Sequence, residues 1–191
     1  GLSVITYSIP SFVIALVLIY IFAVKLNLLP TSGIGTIYSD ENNFLENVKD
    51  RITHLLLPLI TLSIAGIVVF YKYLRDNLVS TSNQTFITNL RASGYYEKII
   101  YSKHLLPNAI QPLISIVGIE FGLLLGGALI TEVIFALPGM GRLTLQAILN
   151  RDFPLVIGCT LIAGIMIIVT NLVADLIKIK TDKRLVKELI K

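Results

Sequence analysis

Four apolar runs, roughly 4–24, 55–74, 109–131 and 154–177, constrain this chain more than any other feature. About 20 apolar residues in a helix, rising 1.5 Å each, cross the ~30 Å hydrocarbon of a bilayer. Inside that hydrocarbon each backbone N–H and C=O must find its partner within the protein, so such runs fold as helices. The expectation is an all-α, polytopic membrane helix bundle with about four transmembrane helices. Composition agrees: 54% of the 191 residues are hydrophobic and 15% are charged, against about a quarter charged in a soluble domain. The chain opens on Gly1 and enters its first run with no basic stretch ahead of it. That run is too long for a signal-peptide core, so the chain reads as a C-terminal fragment of a longer protein.

Charge then orients the runs. Residues 72–108 hold five Lys/Arg against two acids, and the tail 178–191 holds six against two. The loop 25–53 holds three against four, and 132–155 two against two. The positive-inside rule therefore places the 75–108 region and the C-terminus in the cytoplasm and the other two loops outside. These basic residues need no nucleic acid to account for them, and membrane lipid is their expected neighbour.

Taken in order, span one carries Pro10, which predicts a kink. In the external loop 31–53, Phe44, Leu45, Val48 and Ile52 share a helical face, predicting a short surface helix over 43–51. Span two ends at Tyr71, Lys72, Tyr73 and Arg75, an interfacial mixture. The Ser80-Thr81-Ser82-Asn83 cluster has turn and N-cap chemistry and predicts a new helix near Gln84. There Phe86, Ile87 and Leu90 share one face and form an apolar knob, with Arg91 at its rim. Gly94 supplies the left-handed residue that ends this helix, a second helical stretch covers 95–106, and Pro107 starts the next element. Two short cytoplasmic helices meeting at a glycine make an exposed elbow.

Span three repeats Gly118, Gly122 and Gly126 at four-residue spacing, a doubled small-residue motif that admits another helix closely. Glu120 lies on the other side of that helix; it either lines a hydrated translocation path or is hydrogen-bonded within the bundle. The external excursion 132–154 turns at Pro138-Gly139-Met140-Gly141 and predicts a short helix over 142–150 that caps the outer mouth. In span four, Asp175 is placed to reach Lys178 or Lys180, and Cys159, the only cysteine, reads as a packed thiol. There is no P-loop, no HExxH, no GxSxG and no Cys/His set with metal-ligand spacing. His54 and His104 fall on opposite sides of the membrane. No catalytic residue, metal or cofactor is expected.

The stretch 88–107 resembles the cytoplasmic signature of importer-type ABC permeases: a triplet, a glycine, then a closing Leu-Pro. The triplet positions are Thr88-Asn89-Leu90, the glycine is Gly94, and His104, Leu106 and Pro107 close the pattern, with His104 where isoleucine is usual. Further motifs resemble the oligopeptide, dipeptide and nickel permeases. They are Arg91-Ala92-Ser93-Gly94, His104-Leu105-Leu106-Pro107-Asn108-Ala109, Glu132-Val133-Ile134-Phe135, Pro138-Gly139-Met140-Gly141-Arg142 and Arg151-Asp152-Phe153-Pro154. The resemblance implies a peptide importer built of two homologous permease subunits, two cytoplasmic ABC ATPases and an external substrate-binding protein. The elbow would be its coupling helix, with Phe86, Ile87 and Leu90 seated in an ATPase groove. Nickel or a metal chelate is the alternative cargo. A membrane receptor or scaffold that uses the elbow to dock a cytosolic partner is the alternative class.

Overall fold

The computed structural model describes residues 9–35 and 44–181, the side chain of Ala65 excepted, and every regular element among them is helical. They are α1 (Ser11–Leu18), α2 (Phe44–Ser82), α3 (Thr85–Ala92), α4 (Glu97–Ile99), α5 (Leu106–Gly126), α6 (Leu129–Ile134), α7 (Met140–Leu149) and α8 (Phe153–Thr181). Two π-helical segments, Ile19–Lys25 and Ile100–Leu105, continue α1 and join α4 to α5. Residues 4–8 of the first predicted span, Asp40 and Glu41, and the tail beyond Thr181 lie outside the described residues.

Three helical runs, Phe44–Ser82, Glu97–Ile134 and Phe153–Thr181, are long and apolar enough to cross a membrane. In their most apolar windows 18, 11 and 6% of the residues are buried inside the protein, so most of that apolar surface has no protein core to enter. Lipid is the solvent that fits helices apolar around their whole circumference. The described part of the first predicted span, Ser11–Lys25, is apolar but shorter.

Two boundaries differ from the sequence expectation. The separate surface helix over 43–51 does not form; Phe44 opens α2, which runs unbroken for 39 residues. No glycine interrupts the junction, and Thr53 Oγ1 donates to the Asp50 carbonyl at 2.7 Å, a bond the helix supplies locally. The helix also continues through Pro58, beside which buried Thr61 donates its hydroxyl to the Leu57 carbonyl at 2.9 Å. Span three ends at Gly126, short of 131, because Gly127 takes φ +118°. A Cβ at Gly127 would run into the backbone of Gly141, so only glycine suits both the angle and the space.

The chain divides into two compact units, Gly1–Val68 with Leu125–Ala163 and Val69–Leu124 with Gly164–Lys191. The first is centred on Ala15, Ala23, Leu57 and Phe135, with Leu18, Phe22, Leu29 and Leu137 packed around them. Gly33 N–H donates to the Phe135 carbonyl at 2.8 Å and ties the loop after α1 to this centre. At the end of α6, Ala136 takes a left-handed φ of 51°, and Leu137 N–H returns to the Glu132 carbonyl at 2.8 Å. The chain then turns through Pro138 and Gly139 into α7. Buried Glu132 accepts the Arg142 backbone N–H on Oε2 at 2.7 Å, so a carboxylate ten residues upstream caps the N-terminus of α7. A Cβ at Gly139 would overlap that carboxylate, and one at Gly141 would lie 2.7 Å from Leu129 Cα.

The second unit holds the elbow and the packing of Gly118 and Gly122 of α5 on α8. Among the described residues Asp175 is exposed and has no ion-pair partner, which corrects the expected contact with Lys178 or Lys180. Lys178 Nζ instead lies 3.4 Å from Ser115 Oγ on α5.

Candidate functional site

The elbow begins where α2 ends. Ser80, Thr81 and Ser82 form the last turn of α2 rather than a cap, and Ser82 Oγ donates back to the Val79 carbonyl at 2.8 Å. The turn falls at Asn83 and Gln84, and α3 starts with no side-chain cap bond. Its end is more elaborate. Gly94 N–H donates to the Arg91 carbonyl at 3.0 Å and Tyr95 N–H to the Leu90 carbonyl at 3.2 Å. With Gly94 at φ +78°, these two bonds make a Schellman close, which satisfies carbonyls the helix would otherwise leave open. Arg91 Nε then bonds Glu97 Oε1 at 2.8 Å across the bend, both side chains remaining exposed. A pair so exposed contributes at most about 1 kcal/mol, so the backbone rather than the ion pair fixes the bend.

The expected apolar knob divides into two. Ile87 is fully buried, with Ile100 and Leu105, and Leu78 and half-buried Leu90 pack against them. The expectation that Ile87 points outward with its neighbours is therefore corrected: it fills the elbow's own small core, which α3 needs because eight residues cannot hold a helix by themselves. Phe86 is 37% exposed and Tyr96 79% exposed, and Tyr95 and Tyr101 are also exposed. Around them Thr88, Asn89, Ser93 and Gly94 are exposed too.

Pro107 is the second residue of α5, within one position of where the sequence starts that element, and the π segment Ile100–Leu105 runs into it without a break. Proline has no N–H to offer the carbonyl four residues back. The π segment Ile100–Leu105 just before it widens the ladder by one residue, which lets carbonyls reach past the missing donor. His104 is half-buried in this segment, and its carbonyl accepts Asn108 Nδ2 at 2.5 Å.

The three glycines of α5 face α8. A Cβ at Gly118 would lie 2.5 Å from Ala174 Cβ, one at Gly122 2.8 Å from Ile167 Cα, and one at Gly126 3.3 Å from Ala163 Cβ. The facing positions 163, 167, 170 and 174 recur at helical spacing, so one stripe of α8 meets one stripe of α5. Glu120 is half-buried and has no hydrogen-bond or ion-pair partner among the described residues. No group of three or more potential metal-ligating side chains occurs among the described residues.

Sequence reasoning missed Glu97, Glu132 and the α8 stripe. Glu97 stands six residues after Arg91 with a glycine between, a spacing that closes only once the bend is known. Glu132 was visible as an acid ahead of a Pro-Gly turn and a helix start, which is the signal for a capping carboxylate.

Comparison with known proteins adds to this geometry. A family model described as the binding-protein-dependent transport system inner membrane component matches residues 1–187. The chain is 36% identical over 183 residues to the oligopeptide transport system permease protein AppB of Bacillus subtilis, covering 96% of the chain and 56% of that protein. It is 33% identical to the dipeptide transport system permease protein DppB of Escherichia coli K12, covering 93% of the chain and 57% of DppB. It is 36% identical to the metal-staphylopine import system permease protein CntB of Staphylococcus aureus, covering 93% of the chain and 52% of CntB. The chain thus spans about half the length of the curated relatives it matches.

Proposed function

Because the chain belongs to the family of binding-protein-dependent transport system inner membrane components, we propose that it is part of the permease subunit of an ATP-driven importer of peptides. The observation that carries this reading is the match along almost the whole chain, which includes the glycine-closed elbow. On this reading the permease works in the cytoplasmic membrane beside a second homologous permease subunit. Two cytoplasmic ATPases would hydrolyse ATP, and an external binding protein would deliver cargo. The chain itself carries no reaction.

The elbow is the coupling element of this proposal, with its roles redistributed by the geometry. Phe86, exposed on α3, is the residue that enters an ATPase groove, and Arg91 and the tyrosines surround it. Ile87 and Leu90 hold α3 onto the elbow core, and Gly94 sets its angle. His104 and Pro107 lie in the π-to-α transition through which motion of α3 would pass to α5. The α5–α8 stripe of Gly118, Gly122 and Gly126 would keep those helices moving as a pair. Glu120, with no partner among the described residues and set on an apolar helix, is the candidate for the translocation path.

Phe86→Asp in the full-length permease, assembled with its ATPases, tests the reading. Uptake of a labelled dipeptide is expected to fall at least about tenfold while membrane insertion is unchanged, one lost buried aromatic anchor being worth about 2 kcal/mol. Normal uptake by a well-inserted variant would overturn the coupling role. A second reading, a metal chelate as cargo, is favoured by the likeness to CntB. Uptake of labelled peptide in competition with a metal chelate separates the two cargoes.

A further inference from the structure

The turn between α6 and α7 walls an open cleft of about 450 Å³, lined by Pro138, Gly139, Met140, Arg142, Leu143 and Gln146. Its volume falls in the range of sites that take small molecules, ~300–1,000 Å³. Most of the lining is apolar, and Arg142 is its only charged residue. That arginine is half-buried, and its guanidinium has no hydrogen-bond or ion-pair partner among the described residues. The nearby acid, Glu132, forms no ion pair with it. Glu132 directs Oε2 at the Arg142 backbone N–H, 2.7 Å away, so its charge is opposed to the partial positive charge at the start of α7.

The walls are also held in place. Glu132 fills the space a Cβ would need at Gly139, Gly127 abuts Gly141, and Gly141 packs on the Leu129 backbone. Two contacts between backbones and one with a carboxylate thus fix the segment from which Arg142 projects. A preset, mostly apolar cleft with one uncompensated guanidinium suits an amphipathic anion, and a planar guanidinium suits a carboxylate best because it can donate two parallel bonds.

We infer that this cleft is a binding subsite for the carboxylate of the transported solute, on the present proposal the C-terminal carboxylate of a short peptide, with Arg142 as its partner. Met140 and Leu143 contact the adjoining apolar part of the ligand, and Gln146 supplies a neutral polar edge. The inference rests on the transport reading, and its test is built to separate the two.

The test uses the full-length permease assembled with its ATPases and binding protein in proteoliposomes. The probes are a labelled tripeptide with a free C-terminal carboxylate and the same tripeptide amidated. The external binding protein meets both probes in every variant, so the informative quantity is the ratio of acid to amide uptake. Arg142→Gln is expected to lower that ratio about tenfold, and Arg142→Lys to restore part of it, the size of one charged hydrogen-bonded contact. An unchanged ratio, with both probes slowed equally or not at all, overturns the subsite; equal slowing would mark Arg142 as a contact for the binding protein.

A second measurement does not depend on transport. Phenylglyoxal modification of Arg142, followed by mass spectrometry, is expected to be blocked by the free-acid tripeptide and not by the amide, while modification of exposed Arg151 is unaffected by either. Protection equal for the two probes, or absent for both, overturns the subsite. Failure of the unmodified importer to take up either tripeptide would instead overturn the transport reading, with the protection result still deciding whether the cleft holds a carboxylate.

Discussion

At Gly94 a Cβ would meet no atom within 4 Å, yet φ is +78°; at Gly118 the same Cβ would sit 2.5 Å from Ala174 Cβ. The first residue is glycine for its dihedral angle and the second for its neighbour, so substitution should separate them. Gly94→Ala is expected to cost about 1 kcal/mol, the penalty of a left-handed L-residue, and Gly94→Asn less. Gly118→Val is expected to cost more than Gly94→Ala, because α5 and α8 must part to admit it. Thermal unfolding of the full-length permease in detergent checks the order, and an equal loss at both positions would contradict it. Glu132 offers a matching pair. Glu132→Ala leaves the part-buried Arg142 N–H without its acceptor, at about 1 kcal/mol, whereas Glu132→Gln keeps an acceptor there and should recover most of the loss in the same assay. The two roles of glycine were not legible in the sequence, and the capping acid was legible only as an acid ahead of a turn, not as a partner of Arg142. A glycine looks the same whether it is needed for an angle or for a gap, and Glu132 and Arg142, ten positions apart, close into contact only through the Pro138-Gly139 turn.

For whole elements the sequence carried more. Apolar runs, the Gly94 helix end and the 142–150 helix are local properties, set by hydrogen bonding and residue type within a few positions, and α3 and α7 fall near where periodicity puts them. What was not legible is continuity. Whether 43–51 stands apart from span two depends on bonds to residues already folded. Ile87 shows the same limit: Phe86, Ile87 and Leu90 share a face by spacing, but only Ile87 is fully enclosed, because α4 and the π segment return over part of that face. The glycine repeat of α5 advertised a close helix without saying which. The stripe on α8 is testable with a cysteine pair in a Cys159→Ser background. Gly126→Cys with Ala163→Cys places the Cβ atoms about 3.3 Å apart, near the ~3.5–4.5 Å that a disulfide requires. Oxidation is expected to link this pair. Gly126→Cys with Gly158→Cys is expected to remain unlinked, since a Cβ at Gly158 meets nothing within 4 Å.

Across the molecule as a whole, the charge asymmetry makes a statement the helices alone do not. Any bundle of apolar helices could be inserted either way up; what distinguishes the two orientations is where lysine and arginine collect. The elbow region carries five basic residues against two acids, while 132–155 carries two against two. Retaining the first on the cytoplasmic side is favoured during insertion, and the tail with six basic residues asks for the same side. The elbow would then meet cytoplasmic partners and the Arg142 cleft would open toward the outside, an arrangement that the coupling role and the carboxylate subsite both require. Tyr96, 79% exposed on the elbow, and Leu149, 73% exposed at the end of α7, are suited to decide it. In the Cys159→Ser background of the full-length permease, Leu149→Cys is expected to react with a membrane-impermeant maleimide added to intact cells. Tyr96→Cys is expected to react only after the membrane is opened. Labelling of Tyr96→Cys in intact cells would put the elbow on the wrong side for any ATPase, and the coupling role would fall.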